Sequence, residues 1–71
     1  MQFHNSEMFE TRRVRREAIK NTIRILCFIR DAEQTSLNNT PANFQSTESF
    51  ENGEYAVDTL NEVIDMLADV Y

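Results

Sequence analysis

The hydrophobic pattern is clearest in the last third of the chain, where apolar residues recur at steps of three and four. Such spacing is the a/d repeat of a helix that packs along one seam, and apolar residues at the g positions widen the face. The pattern predicts a helix over about residues 50–71, weakened at its start by Asn52 and Gly53. Its a and d positions are Val57, Leu60, Ile64, Leu67 and Tyr71, and its g positions are Ala56, Val63 and Val70.

An earlier helix is predicted over about residues 6–33, because neither glycine nor proline interrupts that stretch. Ser6 is the expected N-cap, and Glu7 and Glu10 stand where acidic groups favour the helix dipole. We expect Ile19, Leu26 and Ile29 to be buried. The broad apolar face, at a spacing of 3.6 residues, comprises Met8, Val14, Ala18, Ile19, Ile25, Leu26 and Ile29.

The most apolar window, residues 23–29, surrounds most of the first helix because Ile23, Cys27 and Phe28 add to its face. One neighbouring helix cannot cover so wide a surface. A chain of 71 residues also buries little surface and usually needs a disulfide, a metal or a partner chain for stability. Cys27 and His4 are the only cysteine and histidine, which excludes an internal disulfide and a Cys/His zinc site within one chain. The sequence therefore predicts self-association.

Polar and turn-forming residues occupy the connection between the helices, residues 34–49. Thr40 and Pro41 fit an N-cap followed by proline at the first helical position, which predicts a short helical turn near residues 41–45. The connection exceeds the ~2–8 residues usual in helix bundles, so it allows either a hairpin or a crossover. Leu37 and Phe44 in the connection, and Phe50 directly after it, are expected to pack the connection onto the core.

The predicted fold is therefore all-α: one small domain over residues 1–71, with two helices that pack as a hairpin. We expect the hairpin to self-associate into a four-helix-type bundle or a higher oligomer. No apolar stretch approaches the ~20 residues that span a bilayer, and the N-terminal residues lack the pattern of a signal peptide. The expected location is the cytoplasm, with no membrane partner.

Charge divides the chain sharply. Residues 1–30 hold all seven basic residues and three acidic ones, a net charge of +4, whereas residues 31–71 hold nine acidic residues and no basic one. The overall net charge is −5. Most of the positive charge lies in one group, here called the basic cluster: Arg12, Arg13, Arg15, Arg16 and Lys20.

Three interpretations of the basic cluster can be compared. Binding to nucleic acid is disfavoured, because the acidic remainder would repel a polyanion and no aromatic residue is interleaved with the arginines. Recognition of a small anionic ligand or an acidic partner protein fits the forked geometry of arginine. The preferred interpretation is that the arginines balance the protein's own acidic half, within one chain or between chains.

A second charged group, here called the acidic stripe, follows the outer side of the last predicted helix. Metal binding and mimicry of nucleic acid are alternatives, but no calcium-loop spacing or Glu-x-x-His motif accompanies these carboxylates. The pattern favours a solvated face that a basic partner can dock against. The stripe comprises Asp58, Glu62, Asp65 and Asp69.

The sequence contains no recognisable pairing of a nucleophile with a base, and Cys27 lies in an apolar window that suits a small core residue. We therefore expect no catalytic activity and no cofactor. The favoured function is a small protein-interaction module: an adaptor, regulator or inhibitor of the acidic kind that phages and mobile elements encode, acting as an oligomer. The alternative is an oligomeric binder of an anionic ligand, such as a nucleotide, phosphate or nucleic acid, at residues 12–16.

Overall fold

The structure, a computed structural model, describes residues 9–71. Within them, α1 spans Arg12–Asn38 and α2 spans Glu48–Ala68, with a short 3-10 helix at Ala42–Phe44 between them. None of the described residues lies in a β-strand, so the all-α prediction is confirmed for this part of the chain. The predictions that concern Ser6, Glu7, Met8 and His4 lie outside the described residues.

Within the described residues α1 begins at Arg12, because residues 9–11 are not helical. The backbone of Thr11 is extended, with φ −94° and ψ 152°, and its hydroxyl oxygen accepts a hydrogen bond from the Val14 amide at 3.1 Å. A threonine in this geometry satisfies one of the free amides at a helix start. The N-cap is therefore Thr11, and Glu10 precedes the helix instead of lying in its opening turn.

The first helix ends at Asn38, five residues beyond the predicted limit at residue 33. Residues 34–38 are polar enough to resemble a loop, but Leu37 among them is buried. The side-chain amide of Gln34 also donates a hydrogen bond to the side-chain oxygen of Asn38 at 3.0 Å. Burial of Leu37 against α2 thus extends the helix through residues whose own helix propensity is modest.

The second helix begins at Glu48, close to the predicted start, and ends at Ala68 instead of residue 71. The hydroxyl oxygen of Thr47 accepts a hydrogen bond from the Phe50 amide at 3.2 Å and caps the first turn. Glu48 and Glu51 lie in that turn, where their negative charge favours the helix dipole.

Gly53 lies inside α2, whereas the sequence predicted a weakened helix start around it. The residue is buried, and a Cβ atom there would lie 2.8 Å from Leu37 Cδ2 and 2.9 Å from Glu33 Oε2. The missing side chain lets Leu37 pack directly against the α2 backbone. Glycine costs about 1 kcal/mol of helix propensity relative to alanine, and here the close approach of the helices offsets that cost.

The connection covers residues 39–47, which is shorter than the predicted 34–49. A helical turn is present near the predicted place, but Thr40 does not cap it: its hydroxyl donates a hydrogen bond to the Ser36 carbonyl at 2.9 Å. Pro41 stands at the N-cap position without a side-chain hydrogen bond, and not at the first helical position. Once α1 extends to residue 38, Thr40 is within reach of its last carbonyl groups.

The two helices are antiparallel and form a hairpin. Near the middle of α1, the Arg30 guanidinium donates a hydrogen bond to the side-chain oxygen of Asn61 in α2 at 3.0 Å. At the start of α1, the Arg16 guanidinium lies over the Tyr71 ring, just beyond the end of α2. Earlier residues of α1 thus contact later residues at and beyond the end of α2, as expected for antiparallel helices. The crossover alternative is wrong.

From Val57 to Leu67 the seam of α2 lies where its heptads predict, with Val57 and Ile64 buried and Leu60 and Leu67 half-buried. The prediction is wrong for Tyr71, which lies beyond the helix and is exposed, and for Val63 and Val70, which are exposed beside the seam. The facing side chains of α1 follow the same alternating spacing of four and three residues, which is the packing of antiparallel helical pairs. These buried or half-buried residues of α1 are Ile19, Ile23, Leu26, Arg30, Glu33 and Leu37.

The prediction that Ile29 is buried is wrong. Ile29 is 51% exposed and Ile25 is 59% exposed, although both belong to the apolar face predicted for α1. The seam of α1 contains Arg30 and Glu33, and these charged residues conceal it from a search for hydrophobic periodicity. The hairpin uses this partly polar seam and leaves the more continuous apolar stripe of α1 uncovered.

Candidate functional site

The hairpin covers little of its own hydrophobic surface. The structure is only 15 Å thick in its smallest dimension, little more than the ~10–12 Å diameter of one helix. Among residues 9–71, the buried hydrophobic side chains are Leu37, Val57 and Ile64. The large hydrophobic side chains exposed by more than a third are Phe9, Ile25, Phe28, Ile29, Phe44, Tyr55, Val63, Met66, Val70 and Tyr71.

Four of these side chains form one surface, here called the apolar face: Ile25 and Ile29 of α1, and Val63 and Met66 of α2. At ~100° per residue, each pair lies about 80–140° from the seam of its helix, rotated in the same sense when viewed from the N-terminus. In an antiparallel pair, rotations of the same sense point to the same side of the hairpin. The four side chains therefore share one side, and each is exposed by at least 37%.

The opposite side of the hairpin is polar. Near the connection, the groove between the helices on that side is lined by Gln34 and Asn38 of α1 and by Glu54 and Asp58 of α2. These residues are rotated from their seams in the sense opposite to that of the apolar face. The hairpin is thus amphipathic as a whole, with one apolar and one polar side.

The basic cluster does not act as one group. Arg15 turns back toward the residues that precede α1, and its Nη1 atom donates hydrogen bonds to the Phe9 carbonyl at 2.8 Å and the Glu10 carbonyl at 2.7 Å. These two bonds hold the entry to the helix in place. Arg15 is therefore a structural residue in this fold, although it remains exposed.

Arg12 and Arg16 lie over the ring of Tyr71, with guanidinium carbons 5.6 and 5.9 Å from the ring centroid. Both distances are within the range of a cation–π interaction, which contributes about 0.5–1 kcal/mol at exposed sites. The pattern of charges could not reveal this contact, because it joins the first turns of one helix to the residue beyond the end of the other.

Within residues 9–71, no carboxylate lies within 4 Å of any member of the basic cluster; the ion pair found there joins Arg30 to Asp31 at 3.1 Å. Arg13 and Lys20 are both exposed. Direct pairing with the protein's own acids, the preferred interpretation from sequence, is therefore not seen between described residues of one chain. The interpretation that remains to be tested is that the arginines pair with acidic residues of another chain.

The position of the basic cluster is unfavourable for α1 itself. The first turn of α1 contains no acidic residue, and the last turn of α2 contains no basic residue, since Asp65 and Asp69 lie there and just beyond. Positive charge at a helix N-terminus and negative charge at a C-terminus both oppose the helix dipole, by about 0.3–1 kcal/mol each. Charges placed against both dipoles suggest a role other than the stability of the single chain.

The acidic stripe follows the outward and polar sides of α2, with Asp58 also lining the groove toward α1, and all four of its carboxylates are exposed. Tyr55 belongs to the same outward surface and is 73% exposed, the highest value among the large hydrophobic side chains. The heptad analysis overlooked Tyr55 and Met66 because neither occupies a seam position. A search for large apolar residues outside the a, d and g positions would have found both.

Other candidate sites receive less support. Cys27 is half-buried. Within the described part of the chain, no group of three or more His, Cys, Asp or Glu side chains is arranged to hold a metal ion. Neither α1 nor α2 is long and apolar enough to cross a membrane.

Comparison with known proteins identifies no relative: no family model matches the chain, and no curated protein or solved structure is similar to it.

Proposed function

We propose that this protein is a non-enzymatic interaction module that associates with itself through the apolar face and docks a second protein through the acidic stripe. It acts as an adaptor, regulator or inhibitor and not as a catalyst. The observation that carries the proposal is the apolar face, on which Ile25, Ile29, Val63 and Met66 remain exposed after the hairpin has formed. A second hairpin packed on this face gives a four-helix-type bundle.

Self-association supplies what the single hairpin lacks. One layer of helices buries hydrophobic residues on one seam only, and a chain of this size has little stability to spare. Exposed apolar patches of several hundred Å² on a soluble chain mark interaction surfaces. A second layer converts the apolar face into the centre of a core.

The acidic stripe stays accessible when the apolar face is covered, because it lies on the outward and polar sides of α2. Exposed tyrosine is common at the centre of protein interfaces, where its ring supplies apolar area and its hydroxyl group a hydrogen bond. Because Tyr55 shares the outward surface of α2 with carboxylates of the acidic stripe, this surface favours a partner with basic residues around an apolar pocket. Opposite charges would also accelerate the encounter of the two proteins.

The docking surface is tested by the double substitution Glu62→Gln/Asp69→Asn, which removes two charges from the acidic stripe and little volume. A partner captured from the native host by the parent chain is expected to bind the variant about tenfold more weakly, which corresponds to ~1.4 kcal/mol. Binding is measured by titration with the purified partner. The variant should keep the oligomeric state and melting temperature of the parent, because both side chains are exposed.

The matched control is Glu10→Gln/Glu17→Gln, which removes the same charge from exposed positions outside the acidic stripe. This control should bind the partner as the parent does. Equal weakening by both variants would mean that net charge and not the acidic stripe governs binding, and the proposed docking surface would be wrong.

The second candidate function is binding of a small anionic ligand by the basic cluster. It is favoured by the convergence of Arg12 and Arg16 on Tyr71, with no carboxylate among residues 9–71 within 4 Å of either guanidinium. Against it stands the exposure of both arginines on the outside of a helix, where water competes for the ligand. This candidate function predicts that the folded chain binds a small anion, whereas the interaction module predicts no such binding.

Thermal melts separate the two functions. With phosphate, nucleotides, cyclic nucleotides and short oligonucleotides, at ~50 and ~200 mM salt, we expect no change in melting temperature. A ligand at 100 times its Kd would stabilise the folded chain by ~2.7 kcal/mol. Stabilisation that is lost in Arg12→Ala/Arg16→Ala and kept in Arg13→Ala would establish the anion-binding function instead.

A further inference from the structure

The apolar face can meet the apolar face of a second copy in two ways, and the distribution of charge distinguishes them. In one arrangement the twofold axis runs along the helices, so the open ends of both hairpins lie together. In the other the axis runs across the helices, so the open end of each hairpin lies against the connection of its partner. Both arrangements cover the same side chains.

The two halves of the hairpin carry very different charge. The open half, residues 9–24 and 61–71, holds six basic and five acidic residues, a net charge of +1. The half nearer the connection, residues 25–60, holds Arg30 and six acidic residues, a net charge of −5. If both hairpins point in the same direction, the two halves of net charge −5 lie against each other. If one hairpin is reversed, each half of net charge −5 lies against the half of net charge +1 in the other copy. Many of these charges, Glu54 and Asp58 among them, lie on the polar side of the hairpin and so on the outside of the dimer. The difference is therefore a long-range effect, which salt weakens beyond the Debye length of ~8 Å.

The sequence of the apolar stripe on α1 favours the same arrangement. Ile25 is flanked at equal distances by two alanines, Ala18 and Ala32, seven residues to either side. Seven residues are about two helical turns, so the three side chains lie in one row. When two copies of α1 run in opposite directions about Ile25, each Ala18 meets the Ala32 of the other copy. Small residues at both places let the helices approach closely around the central isoleucine.

The level of the twofold axis also matches α2. Arg30 pairs with Asn61, and one helix descends as the other ascends, so Ile25 lies level with Met66 to within about one residue. Ile25 and Met66 therefore stand at the level through which the axis passes. At the ends of this side, Phe44 lies near the connection and Phe9 near the open end, exposed by 53% and 38%. Reversal brings each Phe9 toward the Phe44 of the other copy.

We propose that two copies of this chain pack through the apolar face in reversed orientation, with α1 against α1 and the basic cluster of each copy beside the acidic connection half of the other. This inference rests on the self-association proposed above and specifies its geometry. In this arrangement the basic cluster lies level with the acidic half of the partner copy, which lowers the repulsion between the two copies.

Disulfide trapping tests the orientation in the full chain with Cys27→Ala as the background. Ala18→Cys and Ala32→Cys chains, refolded together and oxidised, are expected to give a cross-linked dimer that contains one chain of each kind. Neither variant oxidised alone should cross-link efficiently. As a second measurement, Ile25→Cys should cross-link with itself, because the axis passes beside it.

Sedimentation of the Cys27→Ala background separates failure of the orientation from failure of self-association. A background that sediments as a dimer, with Ala18→Cys linking to itself or with no link in any of the three experiments, would overturn the reversed orientation while leaving self-association intact. A background that is a monomer at micromolar concentration would overturn both proposals.

Discussion

Replacement of Ile25 by glutamate is expected to convert the protein from a dimer or larger oligomer into a monomer. The side chain is 59% exposed in the single hairpin, so the substitution breaks no seam contact with α2. In the proposed assembly it lies at the centre of the interface, where a buried carboxylate without a partner costs several kcal/mol. Each 1.4 kcal/mol is a factor of ten in the dissociation constant, so we expect association at least ~100-fold weaker.

Sedimentation velocity at micromolar concentration measures this effect directly, with the parent chain expected to be dimeric or larger. The matched control is Tyr55→Glu, which introduces the same charge at a side chain that is 73% exposed and points away from α1. This control should remain associated. A parent chain that is a well-folded monomer, or a Tyr55→Glu variant that dissociates like Ile25→Glu, would contradict the assignment of the apolar face.

The second large effect is expected from Ile64→Ala, which should lower the free energy of unfolding by ~2–5 kcal/mol. Ile64 is one of the buried hydrophobic residues in the seam of the hairpin. Its truncation removes the transfer free energy of the lost atoms and leaves a cavity between the helices. For so small a domain this loss is a large fraction of the total stability, and chemical denaturation at several protein concentrations measures it.

The control for this prediction is Glu62→Ala on the exposed side of the same helix, which should change the free energy of unfolding by no more than ~0.5 kcal/mol. Similar losses from the two substitutions would contradict the seam of α2. The dependence on protein concentration distinguishes the roles of Ile64 and Ile25. Ile64→Ala should weaken each hairpin, whereas Ile25→Glu should remove the part of the stability that depends on association.

Together these expectations describe a protein whose two packing surfaces have different tasks. The seam between α1 and α2 forms the hairpin, and the apolar face is the surface proposed to join hairpins. The acidic stripe and Tyr55 remain outside both surfaces and are proposed to dock the partner. Ile25→Glu and Glu62→Gln/Asp69→Asn should each remove one task while the hairpin still forms, whereas loss of the hairpin removes both.

Much of the local structure follows from the sequence. The steps of three and four from Val57 to Leu67 predict α2 and its seam, because a helix brings such residues to one side whatever it packs against. The division of charge is equally evident in the sequence. Caps are less predictable: Ser6 and Thr11 both have the chemistry of an N-cap, and only the structure shows Thr11 in that role.

The tertiary structure decided which side of α1 faces α2. Periodicity in the sequence identifies apolar stripes, but α1 has more than one of them. The stripe that faces α2 is the one that gives the two packed helices the lowest free energy. Leu37 and Gly53 approach closely, Arg30 reaches Asn61, and this register turns Ile25 and Ile29 outward. Such contacts join residues far apart in the sequence, so no local pattern contains them. The sequence alone determined the helices and their charges, and the packing of one helix on the other determined which surface was left for a partner.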